Sequence, residues 1–434
     1  MDINQACEAF KKLLEEQQAR IAAMDCTKTD FTTKKVVTIG VVDGDGIGPI
    51  ITQHAARVLK KLLADEVEAG SIVIKEIQGL TIENRMEKGQ AIPDDVLAEI
   101  KSCDVVLKGP TTTPHGGTLE SANVAMRREL DLYANVRPTC VPELGIDGVC
   151  YRENSEGEYV LGSRGVEIPD KLAMDFKVTT DAGTRRIARA AFEYAKNNGK
   201  DNVAIVTKAN IMKKTDGNFS RICHEVAAEY PDITAEDWYI DIMTANLVNE
   251  ARRSQFQVFV LPNLYGDIIT DEAAQIQGGV GTAGSANIGD RYAMFEAIHG
   301  SAPRMIEMGR GDYANPASVL KACAMLLRHI GRTEAAGKLE TAMDACSGLV
   351  VAPEGITAKK GDCVIVDTAR GEEFGEVAFG SRQVKESALV LPLRKVIRIA
   401  TDADVDHNKE NKKKEDEAFK ICSEKIAKHG LDMK

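Results

Sequence analysis

Short runs rich in β-branched residues recur along this chain, at Val36–Val42, Ile72–Ile74, Val105–Leu107, Val203–Val206 and Val258–Leu261. Stretches with helical periodicity lie between them, as at Ile51–Leu63 and Thr184–Asn198. That alternation predicts strands joined by helices, hence an α/β sheet protein. The second helical stretch carries the pattern most fully. Ile187, Ala188, Ala191, Phe192 and Ala195 form one apolar stripe, with Asp181 a candidate cap and Gly199 a stop. At 434 residues the chain has room for two domains.

Composition narrows the function classes. A net charge of −11 argues against a general nucleic-acid binder, which needs a basic surface. An anionic substrate must then be drawn in by a local cluster of arginines and lysines. The ten cysteines include no CxxC pair, which opposes a zinc site or redox dithiol and fits inert thiols in a reducing compartment. No 18-residue apolar run is present, and Met1-Asp-Ile-Asn-Gln lacks the basic and apolar regions of a secretory signal. No membrane partner and a cytoplasmic location are the expectations.

The ends differ from the middle. Residues Gln5 to Met24 read as a polar helix with Ala9, Leu13, Leu14, Ile21 and Ala22 near one face, followed by a connector from Cys26 to Thr33. After Gln383 come two short β-like pieces, Ala388–Leu393 and Lys395–Ile399. A very polar segment of mixed charge begins at His407, and helical spacing resumes with Phe419, Ile421 and Ile426. That tail reads as a solvated or oligomer-contacting helix.

Four segments carry chemistry. Ser121, Asn123 and Arg127, running on through Asp131 and Tyr133 to Arg137, set short polar side chains and two arginines among apolar residues. Arginine's planar fork matches a carboxylate in two parallel hydrogen bonds, so this segment suits a small acid with several carboxylates. Tyr151–Glu156, Lys208-Ala-Asn210 and Asn263–Asp271 supply the rest of a reaction. Asp267 and Asp271 share a face if their segment is helical, and oxygen ligands suit magnesium or manganese. Acids near a helix N-terminus give the same pattern without a metal. Asp241 is a possible third ligand. Lys208, at a strand end, reads as a surface charge or a catalyst, and His299-Gly-Ser-Ala-Pro303 as an ordinary loop or a turn that lets backbone approach a ligand. Gly44-Asp45-Gly46-Ile-Gly48-Pro49 follows the first strand but is not a Rossmann fingerprint. Its third glycine comes one place early, and the acid ending the next strand, Glu76, stands too far on.

Taken together these residues resemble the β-decarboxylating dehydrogenases, the family acting on isocitrate, isopropylmalate, homoisocitrate and tartrate or D-malate. The matching blocks are GDGIGP (44–49), KGPTTTP (108–114), SANVAMRRELDLYANVRP (121–138), YRENSEGEY (151–159), KANIMK (208–213), NLYGDIITDEAA (263–274), ANIGD (286–290) and FEAIHGSAP (295–303), in the family's order. The resemblance implies a two-domain isocitrate/isopropylmalate dehydrogenase-like α/β fold, with a central mixed sheet flanked by helices and a non-Rossmann cofactor site. The implied layout is a helical extension over 1–33, a large domain from 34–133 and 278–380, a small domain over 134–277 with a dimer clasp near 160–180, and a C-terminal extension over 381–434.

The resemblance also gives residues roles. Arg127, Arg137 and Arg152 look like the clamp for a substrate's carboxylates, Tyr159 and Lys208 like the acid–base pair, and Asp241, Asp267 and Asp271 like ligands of Mg2+ or Mn2+. Thr112, Asn210, Glu296, His299, Gly300, Ala302, Arg304 and Asn315 look like the cofactor site. Lys208 and Asp241 are expected from a neighbouring subunit, so a homodimer or larger homo-oligomer with shared active sites is implied. The implied reaction is oxidative decarboxylation. Ser121 and Asn123 suit the carboxymethyl group of isocitrate, a tricarboxylic acid; facing the isopropyl group of isopropylmalate they would be left unsatisfied. A regulatory subunit of a hetero-oligomer is expected to lack metal or base residues, and none is missing. NADP-linked relatives place lysine-tyrosine after the HGxAP turn, whereas Arg304-Met305 stands here, and the tyrosine and arginine expected further on are not evident in Ala352–Thr368. NAD is the expected cofactor, with NADP the alternative.

Overall fold

The computed structural model describes residues 3–22, 24, 27–114, 119–162, 164–347, 356–359, 361–368, 371–377, 395–411 and 413–414. The strands are β1 (Val37–Val42), β2 (Ile72–Ile77), β3 (Val105–Lys108), β4 (Ala134–Val141), β5 (Ile146–Glu153), β6 (Val166–Ile168), β7 (Leu172–Met174), β8 (Asn202–Thr207), β9 (Thr234–Tyr239), β10 (Val258–Leu261), β11 (Gly284–Ile288), β12 (Ala293–Ala297), β13 (Cys363–Thr368), β14 (Gly371–Glu376) and β15 (Val396–Ile399). The α-helices are α1 (Ile3–Ala22), α2 (Gly48–Leu62), α3 (Ala64–Glu68), α4 (Ile82–Lys88), α5 (Asp94–Lys101), α6 (Ala122–Glu129), α7 (Asp181–Asn197), α8 (Thr215–Ala227), α9 (Ile240–Val248), α10 (Asn263–Ile276), α11 (Pro303–Glu307), α12 (Ala317–His329) and α13 (Thr333–Ser347).

Residues 1–340 and 341–434 form two compact units. In the first, ten strands make one sheet in the order β2-β1-β3-β12-β11-β4-β5-β10-β8-β9. Strands β2, β1, β3 and β12 run parallel to one another; β11 pairs antiparallel with β12 and with β4, and β4 antiparallel with β5. From β5 the sheet runs parallel again through β10, β8 and β9. The expected mixed sheet flanked by helices is therefore present. Parallel strands covered on both faces read as continuous apolar runs, and β3 and β10 are buried at every position.

Helices α7 and α8 show how sequence makes the layers. On α7, Ile187, Ala188, Ala191, Phe192 and Ala195 are all fully buried, and Phe219, Cys223 and Val226 of α8 join them in a core over β5, β8 and β10. The cap is Thr180 rather than Asp181: its Oγ1 accepts from the Gly183 amide at 3.0 Å. Asp181 sits in the first turn instead, where an acid complements the helix dipole. Gly199 ends the helix at φ +63°, as its position suggested.

The second unit holds a three-stranded sheet in the order β14-β13-β15, with Ala358, Val364 and Val396 at its centre. Lys395–Ile399 falls on β15 and the bridge before it, and the polar segment from His407 is helical over 407–411. Ala388–Leu393, Phe419, Ile421 and Ile426 lie outside the described residues. Among the described residues no helix is long and apolar enough to cross a membrane.

Candidate active site

The glycine-rich turn after β1 packs on the protein's own backbone. A Cβ on Gly46 would lie 2.0 Å from the Ser301 carbonyl oxygen, and one on Gly48 would lie 2.2 Å from that of Asp43. Asp45, between the glycines, accepts from the amides of Ile82 and Thr112, each at 2.7 Å. Arg85, fully buried, donates to the carbonyls of Ala91, Thr112 and Glu120. These contacts fix Thr112 and Glu120, and the residue after Glu120 is Ser121, at the N-cap position of α6. Ser121 makes no capping hydrogen bond there, so its hydroxyl is not committed to the helix end. Asn123 accepts from Thr111 Oγ1 at 3.1 Å.

Arginines from β4 and β5 contact α10, and a third, Arg127 of α6, acts electrostatically on its Asp267. Arg152, at the end of β5 and 1% exposed, donates through Nε and Nη2 to Asn263 Oδ1 at 3.0 and 2.7 Å and pairs through Nη1 with Asp267. Arg137 of β4 donates to Thr270 Oγ1 at 2.7 Å and Asp271 Oδ1 at 2.9 Å. Asp267 and Asp271 do share a helical face, one turn apart. Tyr159 donates to Asp267 Oδ2 at 2.8 Å, with the Arg152 guanidinium 5.3 Å from its ring centre. Gly266 makes the approach possible, since a Cβ there would lie 2.5 Å from Arg152 Cγ.

Arg127 of α6 stands 3.8 Å from Glu296, whose other oxygen lies 3.0 Å from the fully buried Lys108. Glu296 also accepts from Asn287 at 2.8 Å, and Asn287 in turn accepts from Asn135 and Asn154. A buried polar belt therefore crosses β12, β11, β4 and the end of β5, with Glu296 as the anchor of Arg127. The belt was missed from the sequence because asparagines inside strands carry no local signature. Glu296, expected at the cofactor, and Lys108, closing an apolar run, were its visible members.

The electrostatics follow from this packing. Burial, with Arg127 alongside, brings the Arg152 guanidinium down to about 10. Burial pushes the Tyr159 phenol up, and its hydrogen bond to Asp267 adds to the effect. Burial also pushes the Asp267 carboxyl up, but Arg152, Tyr159, Arg137 and Arg127 outweigh it and hold that group below its ordinary value. Despite these contacts, Nε of Arg127 and of Arg137 are buried with no hydrogen-bond partner among the described residues. A buried unmet donor costs about 1–3 kcal/mol, a deficit that an anionic ligand removes.

Lys208 and Asp241 form a second group. They lie just beyond the C-terminal ends of β8 and β9, and pair with each other at 2.5 Å. The hydrogen bond from Lys208 holds the Asp241 carboxyl below its ordinary value. Asn210 is exposed in the turn beside them. Strand β8 is two positions from β5 and five from β12 in the sheet, roughly 10 and 24 Å at ordinary strand spacing. Asn210 is thus apart from the other residues expected at the cofactor. Those gather on the far side of the sheet: Thr112 Oγ1 meets Ser301 Oγ at 2.7 Å, His299 Nδ1 meets the Gly300 carbonyl at 3.0 Å, and Ala302 adopts φ +44° before Arg304 on α11. Asn315 Oδ1 accepts from the Ala317 amide at the start of α12. Among the described residues, no group of three or more His, Cys, Asp or Glu side chains is placed to hold a metal ion.

The chain is similar to known proteins over most of its length. The family model described as isocitrate/isopropylmalate dehydrogenase matches residues 38–360, and a short second match, to the PSP1 C-terminal conserved region, covers 394–434. The chain is 40% identical over 319 residues to the isocitrate dehydrogenase [NADP] of Rickettsia felis, covering 70% of this chain and 62% of that one. It is 41% identical over 317 residues to the mitochondrial isocitrate dehydrogenase [NAD] subunit alpha of Bos taurus, covering 71% and 82%. The crystal structure of isocitrate dehydrogenase from Methylococcus capsulatus superposes with a TM-score of 0.65 at 36% identity, covering 73% of this chain and 93% of that one. The chain thus spans about three fifths of its Rickettsia relative but nearly all of the Methylococcus chain, and it belongs to the isocitrate/isopropylmalate dehydrogenase family.

Proposed function

We propose that this protein oxidises and decarboxylates isocitrate to 2-oxoglutarate and carbon dioxide, with hydride transfer to NAD, in clefts that two copies complete together. The observation that carries the reading is the placing of Arg127, Arg137 and Arg152 to act on Asp267 of α10, with two buried guanidinium donors unspent. Three fixed cations beside a phenol and two carboxylates suit a substrate with three carboxylates.

The donor set fits a hard divalent ion. Asp267 and Asp271 offer only oxygen, and Mg2+ or Mn2+ characteristically binds one or two carboxylates while keeping waters and substrate oxygens. Asp241 completes the set only if another copy supplies it, which agrees with its pairing with Lys208 at the exposed start of α9. When bound, the metal supplies positive charge that lowers the energy of the alkoxide and enolate, and the nicotinamide supplies the hydride acceptor.

The chain's own residues do the rest. Arg127, Arg137 and Arg152 bind and orient the carboxylates. Ser121 and Asn123, opening α6, hydrogen-bond the carboxymethyl group and so select isocitrate over isopropylmalate. Lys208 accepts the hydroxyl proton at Nζ. Tyr159, kept protonated by burial and by Asp267, is suited to deliver a proton to the carbon that loses carbon dioxide. Lys208, Asp241 and Asn210 serve the neighbouring copy's cleft. Since one sequence carries every one of these groups, a homodimer suffices; the name of the bovine relative, a subunit alpha, motivates checking for unlike partners as well.

The preference for NAD rests on Met305 after Arg304 and on the absence of tyrosine and arginine from 352–368. A cytoplasmic setting is proposed from the free cysteines, of which Cys103, Cys150, Cys223 and Cys323 are buried. Initial rates test the whole reading: isocitrate, isopropylmalate, homoisocitrate, tartrate and D-malate, each with NAD or NADP, with manganese or with chelator. Isocitrate with NAD and manganese should be fastest. Undiminished isocitrate oxidation in excess chelator, or preference for another acid, would reject it.

A further inference from the structure

We infer that Lys177 is a positioning residue that locks the Lys208 segment, the Tyr159 segment and α10 into one arrangement, so that acid, base and carboxylates are set together. The inference rests on the roles proposed above for Tyr159 and Lys208.

Lys177 follows the β6–β7 hairpin and its side chain is only 6% exposed. Its Nζ lies 2.6 Å from Asp216 Oδ1, an ion pair rather than an aligned hydrogen bond, and Asp216 is fully buried. The other oxygen of Asp216 accepts from the backbone amide of Lys208 at 2.7 Å. One carboxylate therefore ties Lys177 to the point where β8 ends and the Lys208 turn begins. On another side Lys177 lies 3.5 Å from Glu158, the residue before Tyr159. That approach is enforced by the backbone, because Gly157 and Val178 exchange hydrogen bonds of 2.8 and 3.0 Å. Above it, 4.2 Å away, is the ring centre of Tyr265, two residues before Asp267 on α10.

Nothing in the proposed chemistry needs a buried lysine here, and burying an ammonium is unfavourable unless it is well compensated. A cation on a long stem that touches three catalytic segments without reaching the arginine cluster acts on geometry. Because Tyr159 works in its own chain's cleft and Lys208 in its neighbour's, a defect at Lys177 reaches both clefts of a dimer.

The test uses full-length Lys177→Met, with Lys177→Gln as the milder variant should the first fail to fold. The variant should lose on the order of 10²-fold in kcat, the scale of a small misplacement, with KM for isocitrate and NAD within about twofold. Hydrogen exchange at the amides of 207–212 should quicken. Hybrid dimers give the sharper reading, with the Tyr159→Phe and Lys208→Met pair as control. If Lys177 sets both groups, its variant should be rescued neither by Tyr159→Phe nor by Lys208→Met subunits. Rescue by one of them would confine Lys177 to a single segment and overturn the inference, as would wild-type kcat with unchanged exchange at 207–212. If the control pair fails to complement, the shared cleft falls, and with it the reach across clefts. Quickened exchange and the kcat loss would still separate that outcome from a failure of Lys177 itself.

Discussion

The two halves of the proposed catalytic apparatus are built differently. The arginine half is buried and cross-braced: Arg152 is 1% exposed, Glu296 sits between Lys108 and Arg127, and Asn263 holds the Arg152 guanidinium through two bonds. The lysine half is an open pair in which the Lys208 and Asp241 side chains are 25% and 60% exposed. The contrast lies in the bases rather than the acids, since the Asp271 side chain beside Arg137 is 62% exposed, as open as that of Asp241. Under the roles proposed above, the contrast corresponds to substrate binding preorganised within one chain and proton transfer finished by assembly.

The largest expected effect breaks the comparison outright if it fails. Lys208→Met and Tyr159→Phe should each lower kcat at least 10³-fold, and mixed, reassembled dimers should regain up to about half of wild-type activity, since one cleft then holds only native residues. Efficient turnover by a monomer, or inactive verified hybrids, rejects the division. On the binding side, Ser121→Glu places a carboxylate where the substrate's own should lie, and kcat/KM for isocitrate should fall on the order of 10³-fold through like-charge repulsion. Normal efficiency would mean that α6 does not open onto the substrate.

A smaller effect separates the halves by stability. Asp267→Asn and Asp241→Asn should both raise the metal concentration for half-maximal activity at least tenfold. Only Asp267→Asn should also lower the unfolding midpoint of the isolated chain, by the equivalent of about 1–2 kcal/mol, because it leaves buried Arg152 short of a counter-charge that solvent already partly screens. Equal midpoints for the two would dissolve the distinction.

The smallest is a pH dependence confined to the buried half. Burial, with Glu156 beside it, pushes the Glu153 carboxyl up to about 7. Between the ordinary value of about 4.3 and about 7 the folded chain holds a proton that the unfolded chain releases. Stability from this group is therefore fully present below about 4.3 and falls as pH rises to about 7. Denaturant midpoints at pH 5, 6, 7 and 8 should show that slope in the wild type and a flatter one in Glu153→Gln. An unchanged slope would assign it to another group.

The sheet and its helices were legible because burial repeats with a period: the α7 stripe and the apolar runs of β3 and β10 announce themselves. The shared face of Asp267 and Asp271 was legible for the same reason, since four residues is one helical turn. Thr180 was passed over in favour of Asp181 because both are good caps and only backbone geometry chooses between neighbours. Asp45, Arg85, Asp216 and Lys177 were not legible as supports. Each serves partners far off in sequence or binds backbone atoms, and neither relation leaves a local pattern.

The contact between Gly266 and Arg152 has a consequence for how such a site can change. With no room for even a methyl group, any side chain at Gly266 would push Arg152 away, so the glycine is what lets the arginine lie against the acidic helix. Under the roles proposed above, a change of substrate is then expected at the opposite bank, at the opening of α6 where Ser121 and Asn123 stand. New substrates then become reachable one side chain at a time, while the reactive part of the molecule is left untouched.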